Sequence, residues 1–90
     1  MAKHSREHEQ LDVDEMERRV ARALLAIVDA PGERQAITPK LLAERCQLPL
    51  RRVREITEAW ELRTLSGDEL WLGTGSMARI RARLEELSAT

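Results

Sequence analysis

Residues 41–56 read LLAERCQLPLRRVREI, and this stretch decides the fold. Leu42, Ala43 and Cys46 follow the helical period, and so do Val53 and Ile56. Pro49 lies between the two sets, and proline cannot sit inside a continuous helix without breaking a hydrogen bond. A loop gives no reason for apolar residues at helical spacing after the break. The stretch therefore predicts two helices joined by a tight turn at Gln47-Leu48-Pro49. The second helix opens with Arg51, Arg52 and Arg54, three arginines in four positions.

Outward from this stretch, Thr38-Pro39 is a helix start. The threonine caps free N–H groups, and a proline at the first helical position loses no hydrogen bond. The helix it opens is about two turns long, so tertiary packing must hold it. Upstream, LDVDEMERRVARALLAIVDAPG predicts a longer helix. Asp12 is its N-cap, Glu15 completes a capping box, and Leu11 and Met16 form a hydrophobic staple across the cap. Met16, Val20, Ala23, Leu24 and Ile27 form its buried stripe, and Pro31-Gly32 ends it. Ala36 and Ile37 fall where a short edge strand fits. Downstream, Ser66-Gly67-Asp68 is a turn cluster between two strand-compatible runs, which predicts a β-hairpin within Leu62–Gly73. Leu70 and Leu72 share one face of that hairpin and Trp71 takes the other. Ser76 is the expected cap of a last helix, in which Met77, Ile80, Leu84 and Leu87 form one apolar seam.

Ninety residues make one small domain, with no Phe or Tyr and two tryptophans, Trp60 and Trp71. The core must come from Leu, Ile, Val, Ala and Met. The polar stretch MAKHSREHEQ (1–10) predicts a tail, residues 11–73 the domain body, and residues 74–90 a terminal helix suited to dimerisation. Cys46 stands alone, so no internal disulfide forms. No secretory pattern and no run of about 20 apolar residues is present, which gives a cytoplasmic expectation. Net charge is −1, but it is unevenly spread. Residues 1–33 carry five basic and eight acidic side chains, net −3, and residues 34–90 carry ten and eight, net +2.

Helix, short strand, helix, turn, helix, hairpin, helix resembles the winged helix-turn-helix domains. The residues that carry the resemblance are Ala43 as the small residue of the first motif helix, Cys46 at its end, Leu48 in the turn, and Val53 and Ile56 in the second helix. The chain departs from the pattern at Gln47, where a glycine is usual because positive φ is easiest there. The fold class implied is mainly α with a small β-hairpin: a three-helix core, a wing and a C-terminal helix.

The resemblance implies a DNA-binding protein, a small transcriptional regulator acting as a homodimer, with helix 50–60 reading the major groove of double-stranded DNA. The DNA-facing residues are then Lys40, Pro49, Leu50, Arg51, Arg52, Arg54, Glu55 and Arg63. The dimer contact is Met77, Ile80, Leu84 and Leu87. Arginine suits the role because its fork matches guanine O6 and N7, or a phosphate. Asp68-Glu69 at the wing tip runs against it, since two carboxylates repel phosphate. That feature, with the near-neutral charge, motivates the alternative of a winged-helix protein–protein interaction module, an adaptor or assembly subunit without DNA binding.

Each residue also has a plainer role. The three arginines can solvate a helix face and pair with Glu55 and Glu58. His4 and His8 have metal-ligand spacing, but nothing in a polar tail fixes them. Cys46 reads as a small buried apolar group, and Gly73-Thr74-Gly75-Ser76 as a connector without the lysine of a nucleotide site. No constellation of nucleophile, base or metal ligands is present, so the expectation is a non-enzyme with no cofactor and no metal.

Overall fold

The computed structural model describes residues 12–32 and 36–89. The expectations for His4, His8 and Leu11 lie outside the described residues. Helix α1 spans Val13–Asp29, and Asp12 caps it by accepting from the Asp14 N–H at 3.2 Å. Glu15 does not close the capping box. Its carboxylate pairs instead with Arg18 and Arg19 on the next turn of the helix, because a guanidinium attracts a carboxylate more strongly than a neutral N–H does. The buried face of α1 is wider than expected. Ala21 and Leu25 join Met16, Val20 and Leu24 inside, while Ala23 and Ile27 are half-buried. The helix has a neighbour on each of two sides, so it buries two adjacent stripes rather than one.

The expected edge strand at Ala36–Ile37 does not form. Ile37 is buried, and its carbonyl accepts one bond from the Leu70 N–H at 2.8 Å. Pairing stops there, because Thr38 is already a helix cap and Pro39 has no N–H to donate to a ladder. Helix α2, Pro39–Cys46, starts with the Thr38 hydroxyl accepting from the Leu41 N–H at 3.1 Å. Its end is set by Gln47 at φ 59°, ψ 43°, the left-handed region. The N–H groups of both Gln47 and Leu48 turn back to the Ala43 carbonyl. This closes the helix as a glycine would, with Leu48 buried in the same core as Ala43.

Helix α3 spans Leu50–Ala59. Pro49 precedes it, and its carbonyl accepts from the N–H groups of Arg52 and Val53 at 3.0 and 3.2 Å. Val53 is fully buried, and Ile56 and Trp60 are half-buried against the core. Thr57 is also buried, 3% exposed, a position the apolar pattern misses. Its hydroxyl donates to the Arg54 carbonyl at 3.1 Å, which removes the cost of placing a polar group inside.

Strands β1, Arg63–Thr64, and β2, Leu70–Trp71, pair antiparallel with Arg63 opposite Trp71 and Thr64 opposite Leu70. The turn cluster falls where the sequence places it, as a short 3-10 turn over Ser66–Asp68. Leu70 faces the core and Trp71 faces out. Helix α4, Thr74–Ser88, begins two residues before the expected Ser76 cap; Gly73 takes the cap position without a side-chain bond. Ile80 and Leu87 are buried, and Met77 and Leu84 are half-buried against the core. α4 lies along α1, the most extensive packing between any two elements described. Two of the four residues expected at a dimer contact, Ile80 and Leu87, are thus buried within the chain itself.

Candidate nucleic-acid interface

The turn at Gln47 sets how α3 is presented. Leu48 and Val53 are held inside, so positions 51 and 55 fall on the opposite side of the helix, with 52 and 54 on its flanks and 50 at the edge of the inward face. Pro49, Leu50, Arg51, Arg52, Arg54 and Glu55 are all exposed. Lys40 is exposed at the second residue of α2, and Arg63 is exposed on β1. At the start of α2, Pro39 has no N–H and Leu41 gives its N–H to Thr38, which leaves Lys40 to meet an anion there.

The arginines are not equivalent. Arg52 donates to Glu55 Oε1 at 3.1 Å on the same helix. Arg54 donates to Asp68 Oδ2 at 3.3 Å across to the hairpin tip. Arg51, Lys40 and Arg63 have no acidic partner within ion-pair distance among the described residues. Both ion pairs are about half exposed, with side-chain exposures of 47% for each arginine. Pairs so open to water hold weakly and exchange readily with another anion.

The link from Arg54 to Asp68 is the contact that sequence reasoning missed. Gly67 at φ +76° and Asp68 at φ +64° are consecutive left-handed residues, and they turn the aspartate back toward α3. The signal was the Ser-Gly-Asp cluster, which marks a turn but not what the turn faces.

A second missed site lies away from this face. Glu17 of α1 accepts from the Trp60 indole Nε1–H at 2.7 Å, and from Arg83 Nε and Nη2 at 2.9 and 3.0 Å. The Arg83 hydrogen bonds, with the Trp60 bond and the nearby positive charge, hold the Glu17 carboxyl below its usual range, although partial burial opposes them. On the same helix as Arg83, Arg81 pairs with Asp29 at 2.8 Å and Arg79 with Glu61 at 3.4 Å. Of these three, Arg83 makes the least exposed contact between α4 and the body, while the Arg81 and Arg79 pairs are open to water and hold weakly. Arg18 adds a bond from Nη2 to the Leu87 carbonyl at 2.6 Å, a cation at a helix C-terminus.

Cys46 is buried and its Sγ–H donates to the Arg19 carbonyl at 3.5 Å. Burial pushes the thiol above its ordinary value, so it is held as the unreactive form. Trp71 is 51% exposed, and its ring lies over Gly73. It lines an open groove of about 460 Å³ with Val28, Ile37, Leu65 and Met77. A smaller cleft of about 160 Å³ lies between α1 and the flank of α3, lined by Val13, Met16, Ile56 and Ala59. Among the described residues no group of three or more His, Cys, Asp or Glu is placed to hold a metal ion, and no helix is long and apolar enough to cross a membrane. No family model, no curated protein and no solved structure matches this chain.

Proposed function

We propose that the chain binds double-stranded DNA, with α3 lying in the major groove, and acts as a small transcriptional regulator. The observation that carries the reading is the turn at Gln47. It buries Leu48 and Val53 while leaving Arg51 exposed on the far side of the helix and Arg52 and Arg54 exposed on its flanks. Arg51 is the residue best suited to base or phosphate contact, since no carboxylate competes for it among the described residues. Lys40 and Arg63 flank it as phosphate ligands. Arg52 exchanges Glu55 for the same purpose. In this reading the hairpin is the wing. A homodimer through α4 draws no support from the packing, because Ile80 and Leu87 are buried within the chain.

Titration of a labelled duplex of random sequence at rising salt tests the proposal. Binding at low salt is expected, weakening log-linearly as salt rises, with a slope of about −0.9 per phosphate contact. Arg51→Ala should weaken binding by about tenfold or more without altering the circular dichroism spectrum. Absence of salt-sensitive binding below the concentration at which the protein aggregates refutes the reading.

One observation favours a protein partner instead. Two of the three α3 arginines already have carboxylate partners, Glu55 and Asp68, and a cleft lined by Val13, Met16, Ile56 and Ala59 with Glu17, Arg52 and Glu55 runs along the same helix. An interaction module of this kind would co-purify with a stoichiometric partner and ignore duplex DNA.

A further inference from the structure

Asp68 is placed on α3 rather than on anything outside the chain. Its Oδ2 lies 3.3 Å from Arg54 Nη2, fourteen residues away in sequence. Two features of the tip hold it there. Gly67 and Asp68 both occupy the left-handed region, which reverses the chain within one residue of the aspartate. Aspartate is among the few residues other than glycine that tolerate that conformation. The Leu65 N–H then donates to the Glu69 carbonyl at 2.6 Å, and the Leu70 N–H to the Ile37 carbonyl. The tip is therefore closed on both sides of Asp68. Glu69, the neighbouring acid, is half-buried and makes no ion pair among the described residues.

We infer that Asp68 is an affinity-setting residue of the proposed DNA site: it occupies Arg54 as an internal carboxylate, and a backbone phosphate must displace it. This rests on the DNA reading above and specifies how that site is tuned. A carboxylate and a phosphate oxygen are the same kind of acceptor for a guanidinium, so they compete for the Arg54 Nη2 donor. Once displaced, the freed carboxylate stands beside the incoming polyanion and repels it. Both effects act in one direction. The tip lowers affinity for any polyanion and makes binding depend on contacts that Asp68 does not touch, chiefly those of Arg51.

The test compares Asp68→Asn, Glu69→Gln, Arg54→Ala and the double variant Asp68→Asn/Arg54→Ala with the wild-type chain, by duplex titration across a salt series. Asparagine tolerates the left-handed region as aspartate does, so Asp68→Asn removes the charge and keeps the turn. Asp68→Asn is expected to bind about three- to tenfold more tightly at low salt and to steepen the log–log salt slope by about 0.9, one phosphate contact. Glu69→Gln changes charge equally but should gain less than about twofold, because Glu69 holds no arginine. In the Arg54→Ala background the Asp68→Asn gain should shrink to the Glu69→Gln level. Equal gains from both neutralisations, or a gain that survives without Arg54, overturns the competition and leaves a general charge effect. Wild type and Asp68→Asn binding equally also overturns it while leaving the DNA reading intact. If no variant binds duplex, the DNA reading and the competition fall together.

Discussion

The Glu17 site makes the sharpest prediction about stability, because one carboxylate joins three elements. Its side chain is 13% exposed, and both oxygens are engaged. Glu17→Ala removes the acceptor for Trp60 Nε1–H and leaves that indole donor without a partner at the junction of α1 and α3. A hydrogen bond to a charged group contributes roughly 1.5–3 kcal/mol in general. The Arg83 side of the site is open to solvent, so its share is screened. The Trp60 bond therefore sets the scale, about 2 kcal/mol. In a domain of this size that lowers Tm by about 8–16 °C. Glu17→Gln keeps an amide oxygen for the indole and should cost about half as much.

The pH dependence gives the sign. The folded carboxyl lies below its ordinary value, chiefly through Arg83 and then Trp60. Its contribution is therefore fully present above the unfolded pKa, about 4.3. It is lost as pH falls through the lower folded value. Urea unfolding of wild type and Glu17→Gln at several pH values should give a constant difference from about pH 6 to 8. The difference should shrink steadily below about pH 4.5. A difference that stays constant down to about pH 3, or grows on acidification, refutes the assignment.

Two further substitutions probe the local backbone. Gln47→Gly removes a Cβ from a residue at φ 59° and should stabilise the chain by up to about 1 kcal/mol, read as a raised urea midpoint. The gain is limited by the greater freedom glycine restores to the unfolded chain. Gly73→Ala places a methyl 2.6 Å from Trp71 Cζ3. Because Trp71 is half exposed, its ring can swing aside, so stability should change by less than about 1 kcal/mol. Tryptophan fluorescence in a Trp60→Phe background should nonetheless shift.

Much of the helical skeleton is legible because its signals are local. Thr38-Pro39 starts α2 by supplying a cap and giving up an N–H that has no partner there. The Gln47 turn follows from apolar residues at helical spacing on both sides of a proline. The hairpin reads from Ser66-Gly67-Asp68, although its strands are shorter than the surrounding residues suggest. What was not legible depends on a second element. Ala36–Ile37 has strand-like residues, but pairing is cut off by the helix start that follows. Thr57 is polar by type and buried because a carbonyl of its own helix satisfies it. The candidate site divides in the same way. Arg51, Arg52 and Arg54 stand out in sequence as a cluster and helical spacing offers Glu55 to Arg52, yet nothing in that spacing says that Arg54 meets Asp68 across the hairpin.

The sequence by itself determined the starts of α1 and α2, the break at Gln47, and which apolar residues of α3 face inward. These follow from caps, proline and apolar period, all of which act within a few residues. Tertiary structure alone decided what α4 packs on within the chain and which carboxylate Arg54 meets. The seam Met77, Ile80, Leu84 and Leu87 has the same spacing whether its partner is another chain or α1. Burial of Ile80 and Leu87 in a helix packed along α1 is a fact of packing. Likewise Asp68 reaches Arg54, and Glu17 reaches both Trp60 and Arg83, only because folding brings together residues fourteen to sixty-six positions apart. Coulomb and hydrogen-bond energies depend on distance in space, and that distance is set by the packing of the elements rather than by their order.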